Sequence, residues 1–182
     1  MLNWQPRAHR GVVTIVLLAG MLGVATSNAI AQDQERASFV GSIAKQVVLD
    51  PTTYVPSIIA YDGTMRDWKT SQPFFKNGFM EQNSRFTISG RPNDLPVPYA
   101  EGKKRVLADA AANLGMSALN NVTGRVFERM LIERYPQHRK IVRAVSWIER
   151  ISFGAYMSYM LSIDHYRQAE LNATRAQQLG YR

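Results

Sequence analysis

The sequence predicts an all-α protein: a compact helical bundle of about three long helices plus a short N-terminal helix, with a long ordered loop between the second and third. Three observations predict it. Apolar residues recur at steps of three and four over residues 54–68 and again, at near-helical spacing, over 107–130, the signature of buried helix faces. Pro51 and Pro136 stand where a helix would start or stop. Apolar–polar alternation, the mark of a half-buried strand, is confined to the short piece 85–89 (RFTIS), which has no obvious partner strand.

The chain opens on residues that read as a leader. Arg7, His9 and Arg10 precede an uncharged run over residues 11–25, and Ala29-Ile30-Ala31 sets small residues where a signal peptidase cuts. Cleavage is expected before Gln32, delivering a periplasmic or secreted chain of one helical domain, residues 32–182. The rival is an uncleaved anchor and inner-membrane association, but the run is shorter than the ~20 apolar residues a span needs and contains Gly20 and Gly23.

Residues 32–49 form the expected short helix, with Phe39, Val40, Ile43, Val47 and Val48 on one side. Asp50-Pro51 is a cap followed by a first-turn proline, so a second helix is expected from there to about Ser71. Tyr54, Ile58, Tyr61, Met65 and Trp68 would be its buried stripe. Residues 72–102 carry Pro73, Gly78, Gly90, Pro92, Pro96, Pro98 and Gly102, which break helices, yet also Phe74, Phe75, Phe79, Phe86 and Tyr99, which disordered linkers lack. An ordered loop packed over the helices is expected there. Residues 103–135 form the third helix, ended by Pro136, and a fourth runs from Arg139 to the region of Asn172 with a frayed tail. Ala111 and Gly115, and Gly154, Ser158 and Ser162, set small residues at helical spacing, which lets helices approach closely. The uncharged run 151–163 is short for a span and ordinary for a buried helix.

The totals narrow the function. The 182 residues carry 22 basic and 14 acidic side chains. Two of the basic ones lie in the leader, which leaves 20 against 14, a net +6 on the remainder. For an exported chain the plainer expectation is that this charge only keeps it soluble; as a recognition signal it favours an anionic envelope surface or an acidic protein over nucleic acid. There is no cysteine, which excludes disulfides, thiol catalysis, iron–sulfur clusters, cysteine-bound zinc and a lipoprotein anchor. No nucleophile elbow, P-loop or dinucleotide-binding glycine pattern occurs.

Two clusters stand out. Asp67 follows Ala60, Gly63 and Thr64 on a narrow helix face, where small neighbours let another segment come close to the carboxylate; Glu81 and Asn83 follow in the loop. Two carboxylates and an amide are the oxygen donors a divalent cation takes, and a carboxylate pair also suits acid–base work. The plainer expectation is that they pin the loop, with Glu81 paired to Arg85 or Arg91. The second cluster, Arg134, Arg139, Lys140 and Arg143, lies where two helices meet and is the best patch for an anionic partner. His138 sits among cations, and His165 reads as a helix-packing residue.

The runs D-W-K-T-S at 67–71 and G-F-M-E-Q-N at 78–83 resemble a pattern of small uncharacterised bacterial helical proteins: D-x-x-[ST]-[ST], a short gap, then G-x-x-E-x-N-P. Asp67, Thr70, Ser71, Gly78, Glu81 and Asn83 match; Ser84 replaces the proline. The resemblance implies a helical fold, in many members membrane-integral, and no particular activity. The function expected is therefore that of an exported, non-enzymatic interaction or structural factor that binds a protein or anionic surface. The alternatives are a cation-binding or hydrolytic protein using Asp67, Glu81 and Asn83, and a membrane-integral helical protein.

Overall fold

The computed structural model describes residues 29–181. Most of the expected leader lies outside them; the first described helix, α1, runs Ala29–Val48. The chain divides after Ser38 into two compact units, and the second, residues 39–182, contains the later turns of α1 and every helix after it. Three longer helices complete the fold: α2 (Val55–Lys76), α3 (Tyr99–Arg134) and α4 (Arg139–Leu179). The described residues contain no strand, so the all-α expectation holds. None of their helices is long and apolar enough to cross a membrane.

Asp50 does cap, but it caps a 3-10 turn, Pro51–Thr53, that precedes α2: its carboxylate accepts from the Thr52 amide at 3.1 Å. The helix α2 then continues past Ser71 through Pro73 to Lys76. A proline ring already holds a helical φ, so near a helix end it costs little beyond the bond its missing N–H would have made. Asn77 closes the end by donating its side-chain amide to the Pro73 carbonyl at 2.8 Å.

The expected stripe on α2 is corrected. Trp68 is buried, but Ile58 is 62% exposed and Tyr54 and Tyr61 are also exposed. The buried face consists of Pro56, Ser57, Ala60, Gly63 and Trp68. Close approach explains the choice. A Cβ on Gly63 would stand 3.3 Å from Ser162 of α4, and the Ser57 hydroxyl donates to the Ala110 carbonyl of α3 at 2.6 Å. Bulky side chains at Ser57 or Gly63 would hold the helices apart.

The loop is shorter than expected, residues 77–98, because α2 ends later and α3 begins earlier. Gly78 and Gly90 take positive φ, as does Asn93, residues that tolerate the left-handed region. The extended piece does find a partner: Ile88 donates to Leu95 and Val97 to Phe86, and single bridges join Glu81 to Asp94 and Thr87 to Pro96. The fold-back rests on Trp68, whose indole stacks on Phe86 at 5.0 Å and donates to the Tyr99 carbonyl at 3.2 Å. Val97 and Val106 complete this small apolar core.

The C-terminal tail is also corrected. The helix α4 holds to Leu179 and ends on Gly180 at φ +68°, a left-handed cap. Tyr181 then donates its amide to Ala176 and sets its ring edge-on to Phe74 at 5.8 Å.

Candidate functional site

Asp67 sits where α2 meets α4, on the small-residue face. Its Oδ2 lies 2.8 Å from His165 Nδ1, and its Oδ1 accepts from the Asn172 side chain at 3.3 Å. Asn172 also donates to the Ser71 hydroxyl at 2.9 Å, and that hydroxyl donates to the Asp67 carbonyl. The narrow face thus admits α4 to the carboxylate. A carboxylate on Nδ1 fixes the orientation of an imidazole and leaves Nε2 for other partners. His165 also lines an open cleft of about 280 Å³, together with Asn83 and the Arg85–Asp109 ion pair.

Glu81 is partly buried at the start of the loop and accepts from the Asn83 amide at 2.7 Å. Its carboxyl is raised above the ordinary range, first by burial and also by the negative charge of Asp67. The two carboxylates therefore share one electrostatic neighbourhood. Asn83 is committed elsewhere: its side-chain oxygen accepts from the Arg85 amide at 3.0 Å and caps the short turn Ser84–Phe86. Arg85 pairs with Asp109 rather than with Glu81. Among the described residues no three His, Asp or Glu side chains are grouped to hold a metal ion.

A second polar centre carries no periodic or motif signal in the sequence. Arg150, only 5% exposed, donates to Glu128 at 3.2 Å and to Ser146 at 2.6 Å, with Nε 3.3 Å from Asp50. Arg125 donates to the same Asp50 at 2.7 Å and to Gln46 of α1 at 2.7 Å. Asn121, 1% exposed, donates to the hydroxyls of Thr53 at 2.7 Å and Thr52 at 3.0 Å. Burial alone would raise the Asp50 carboxyl, but the bonds from Thr52 and Arg125 outweigh it and hold the carboxyl below its usual value. Two carboxylates and two guanidiniums balance in charge, so the network ties α1, the 3-10 turn, α3 and α4 together without a net buried charge.

No family model matches this chain. No curated protein and no solved structure matches it either.

The basic cluster occupies the tip of the α3–α4 hairpin. Arg134, Arg139, Lys140 and Arg143 are all exposed. Arg143 reaches Glu128 only at 4.0 Å, and Arg134 donates to the Tyr135 hydroxyl at 3.3 Å. Arg139, Lys140 and Arg143 border a shallow cleft of about 550 Å³ together with Ile141 and Pro136. Large apolar side chains lie exposed around them, Trp147 at 60% among them.

These surfaces share one feature. On α3 and α4 the buried residues are mostly small or polar: Ser117 and Asn121 on one, Arg150, Gly154, Ser158 and Ser162 on the other. The large apolar residues point outward: Met116, Leu119, Phe127 and Met130, and Ile148, Tyr156, Tyr159 and Met160. The usual sorting of side chains is inverted over much of this hairpin.

Proposed function

We infer that the protein is an exported, non-enzymatic interaction factor of the bacterial envelope, whose outward α3–α4 surface and basic tip meet a partner. The observation that carries this reading is the inverted sorting. A folded monomer rarely leaves many large side chains in contact with water unless another surface covers them, and here the groups that the fold buries in their place are small or polar. Export rests on the leader-like residues 1–31, with cleavage before Gln32. The positive charge of the tip favours an anionic surface.

A photo-crosslinking residue placed at Ile148 or Leu119 in the producing cell tests the reading. It predicts adducts, to lipid or to another macromolecule, at both positions and none at Ala60, which is buried between helices. Absence of adducts at both outward positions refutes it. Intact mass of the recovered protein, beginning at Gln32, tests the export step.

A second reading is favoured by the like-charge influence of Asp67 on Glu81. Burial raises the Glu81 carboxyl most, and a divalent cation between the two would relieve the repulsion from Asp67 that adds to it. Calcium or magnesium would then raise the melting temperature, and Glu81→Ala would abolish the rise. An equal melting temperature with and without metal refutes this reading.

A further inference from the structure

Resting on the interaction reading above, we propose that the occupant of the hairpin tip is an anionic lipid bilayer surface, met by the basic residues and by the exposed apolar side chains beside them.

Three observations carry it. The first is the composition of the tip. Phe127, Leu131, Ile141, Val145, Trp147 and Ile148 are all well exposed on the last turns of α3 and the first turns of α4. Ile141, Val145 and Ile148 follow at steps of four and three, so they share one face of α4. Aliphatic side chains with a tryptophan beside cations are the chemistry of helices that lie in a membrane interface.

The second is the charge. Residues 127–148 contain Arg129, Arg134, Arg139, Lys140 and Arg143 against Glu128 and Glu133. Glu133 is taken by Arg129 at 3.0 Å, and Glu128 by the buried Arg150 at 3.2 Å. Arg134, Arg139 and Lys140 form no ion pair among the described residues, so their charge faces outward. This argues against a second copy as occupant. A two-fold contact sets the same patch against itself, and here it would bring unneutralised cations into one interface.

The third is depth. No described helix is long and apolar enough to span, and Arg129, Arg139, Lys140 and Arg143 interrupt the apolar side chains of the tip. The hairpin therefore lies on the headgroups with its apolar face at the acyl boundary.

The test uses the protein recovered from its producing cell, mixed with vesicles of phosphatidylcholine alone or with phosphatidylglycerol added. Binding is read by flotation and by tryptophan emission, with Trp147→Phe assigning the signal. Binding to the anionic vesicles is expected, with a blue shift of emission that Trp147→Phe removes. Each basic residue near an anionic surface is worth about fivefold in partition, so Arg139→Gln with Lys140→Gln lowers binding by roughly 25-fold and abolishes the Trp147 shift. Because the leader residues are themselves apolar, only loss on changing the tip supports the proposal. Unchanged partition after the double substitution, or no Trp147 shift, overturns it. If light scattering then shows a concentration-dependent dimer that Ile148→Glu dissolves, the occupant is a second copy and the interaction reading stands. A monomer without crosslinks at Ile148 or Leu119 overturns both.

Discussion

Gly102→Ala probes most severely the closure of Trp68 over the start of α3. Gly102 lies in the first turn of that helix, directly beneath the indole. A Cβ there would overlap indole atoms Cε2 and Cζ2 and stand 2.5 Å from Nε1. In an open helix the same change would stabilise by about 1 kcal/mol, because glycine loses more backbone freedom. Here the methyl is fixed to backbone and the ring has no free end to swing aside. The ring is stacked on Phe86 and tethered by its N–H to the Tyr99 carbonyl. Overpacking of this kind costs about 3 kcal/mol at the upper end of its range, and the displaced hydrogen bond adds about 1 kcal/mol. Set against the helix gain, the net loss is about 3 kcal/mol, which for a chain of this size lowers the melting temperature by roughly 6–12 °C. Gly115→Ala, in the same helix with nothing within 4 Å of its Cβ, should instead raise it by roughly 1–4 °C. Both are read by thermal unfolding followed by far-ultraviolet circular dichroism. Hydrogen exchange adds a local check: the Ile88 and Val97 amides, which hold the loop folded back, should lose protection in Gly102→Ala only. If the two variants shift stability in the same direction, Trp68 does not close over the start of α3 and the account of the loop is wrong.

Other perturbations probe the polar contacts. Arg150→Met strips the buried charge that faces Glu128 and Asp50 and should cost about 3–5 kcal/mol; adding Glu128→Gln should recover part of this, and a strictly additive double variant would show that the pair is not coupled. Asp50 is held below its ordinary value, so its contribution is present above pH 3.8 and lost as pH falls through the lower folded value. The stability gap between wild type and Asp50→Asn should therefore close in strong acid, and a gap that persists there contradicts the charge assignment. Glu81 has the opposite sign: its raised carboxyl favours the protonated form, so its contribution is complete below pH 4.5 and lost as pH rises through the folded value. Glu81→Gln should accordingly stabilise at neutral pH and not in acid below that value, as denaturant unfolding under the two conditions would show. His165→Phe should weaken the α2–α4 contact by about 1–3 kcal/mol through the stranded Asp67 carboxylate, whereas no change would mean that Asn172 alone satisfies it.

The helices and their approximate order follow from the chain itself. Pro51 and Pro136 fix where it must restart, the apolar spacing over 107–130 requires a long helix, and the absence of cysteine leaves packing as the source of stability. The small neighbours Ala60 and Gly63 around Asp67 also announced a close approach, and α4 makes it. What the chain could not reveal is which face each helix turns inward. On α2 the aromatic stripe and the small-residue face are both periodic, and periodicity alone selects the larger side chains. The fold selects the smaller ones, because Ser57 and Gly63 let α3 and α4 come within hydrogen-bond reach while Ile58 would not. The same selection buries Arg150 and Asn121 on long helices, where Asp50, Glu128, Thr52 and Thr53 are brought to them from distant parts of the chain. It also turns Ile148 and Tyr159 outward. Helix period is a local property of the backbone. The choice of buried face is decided by how closely neighbouring backbones can approach and which polar groups they can satisfy, and that is a property of the assembled tertiary structure alone.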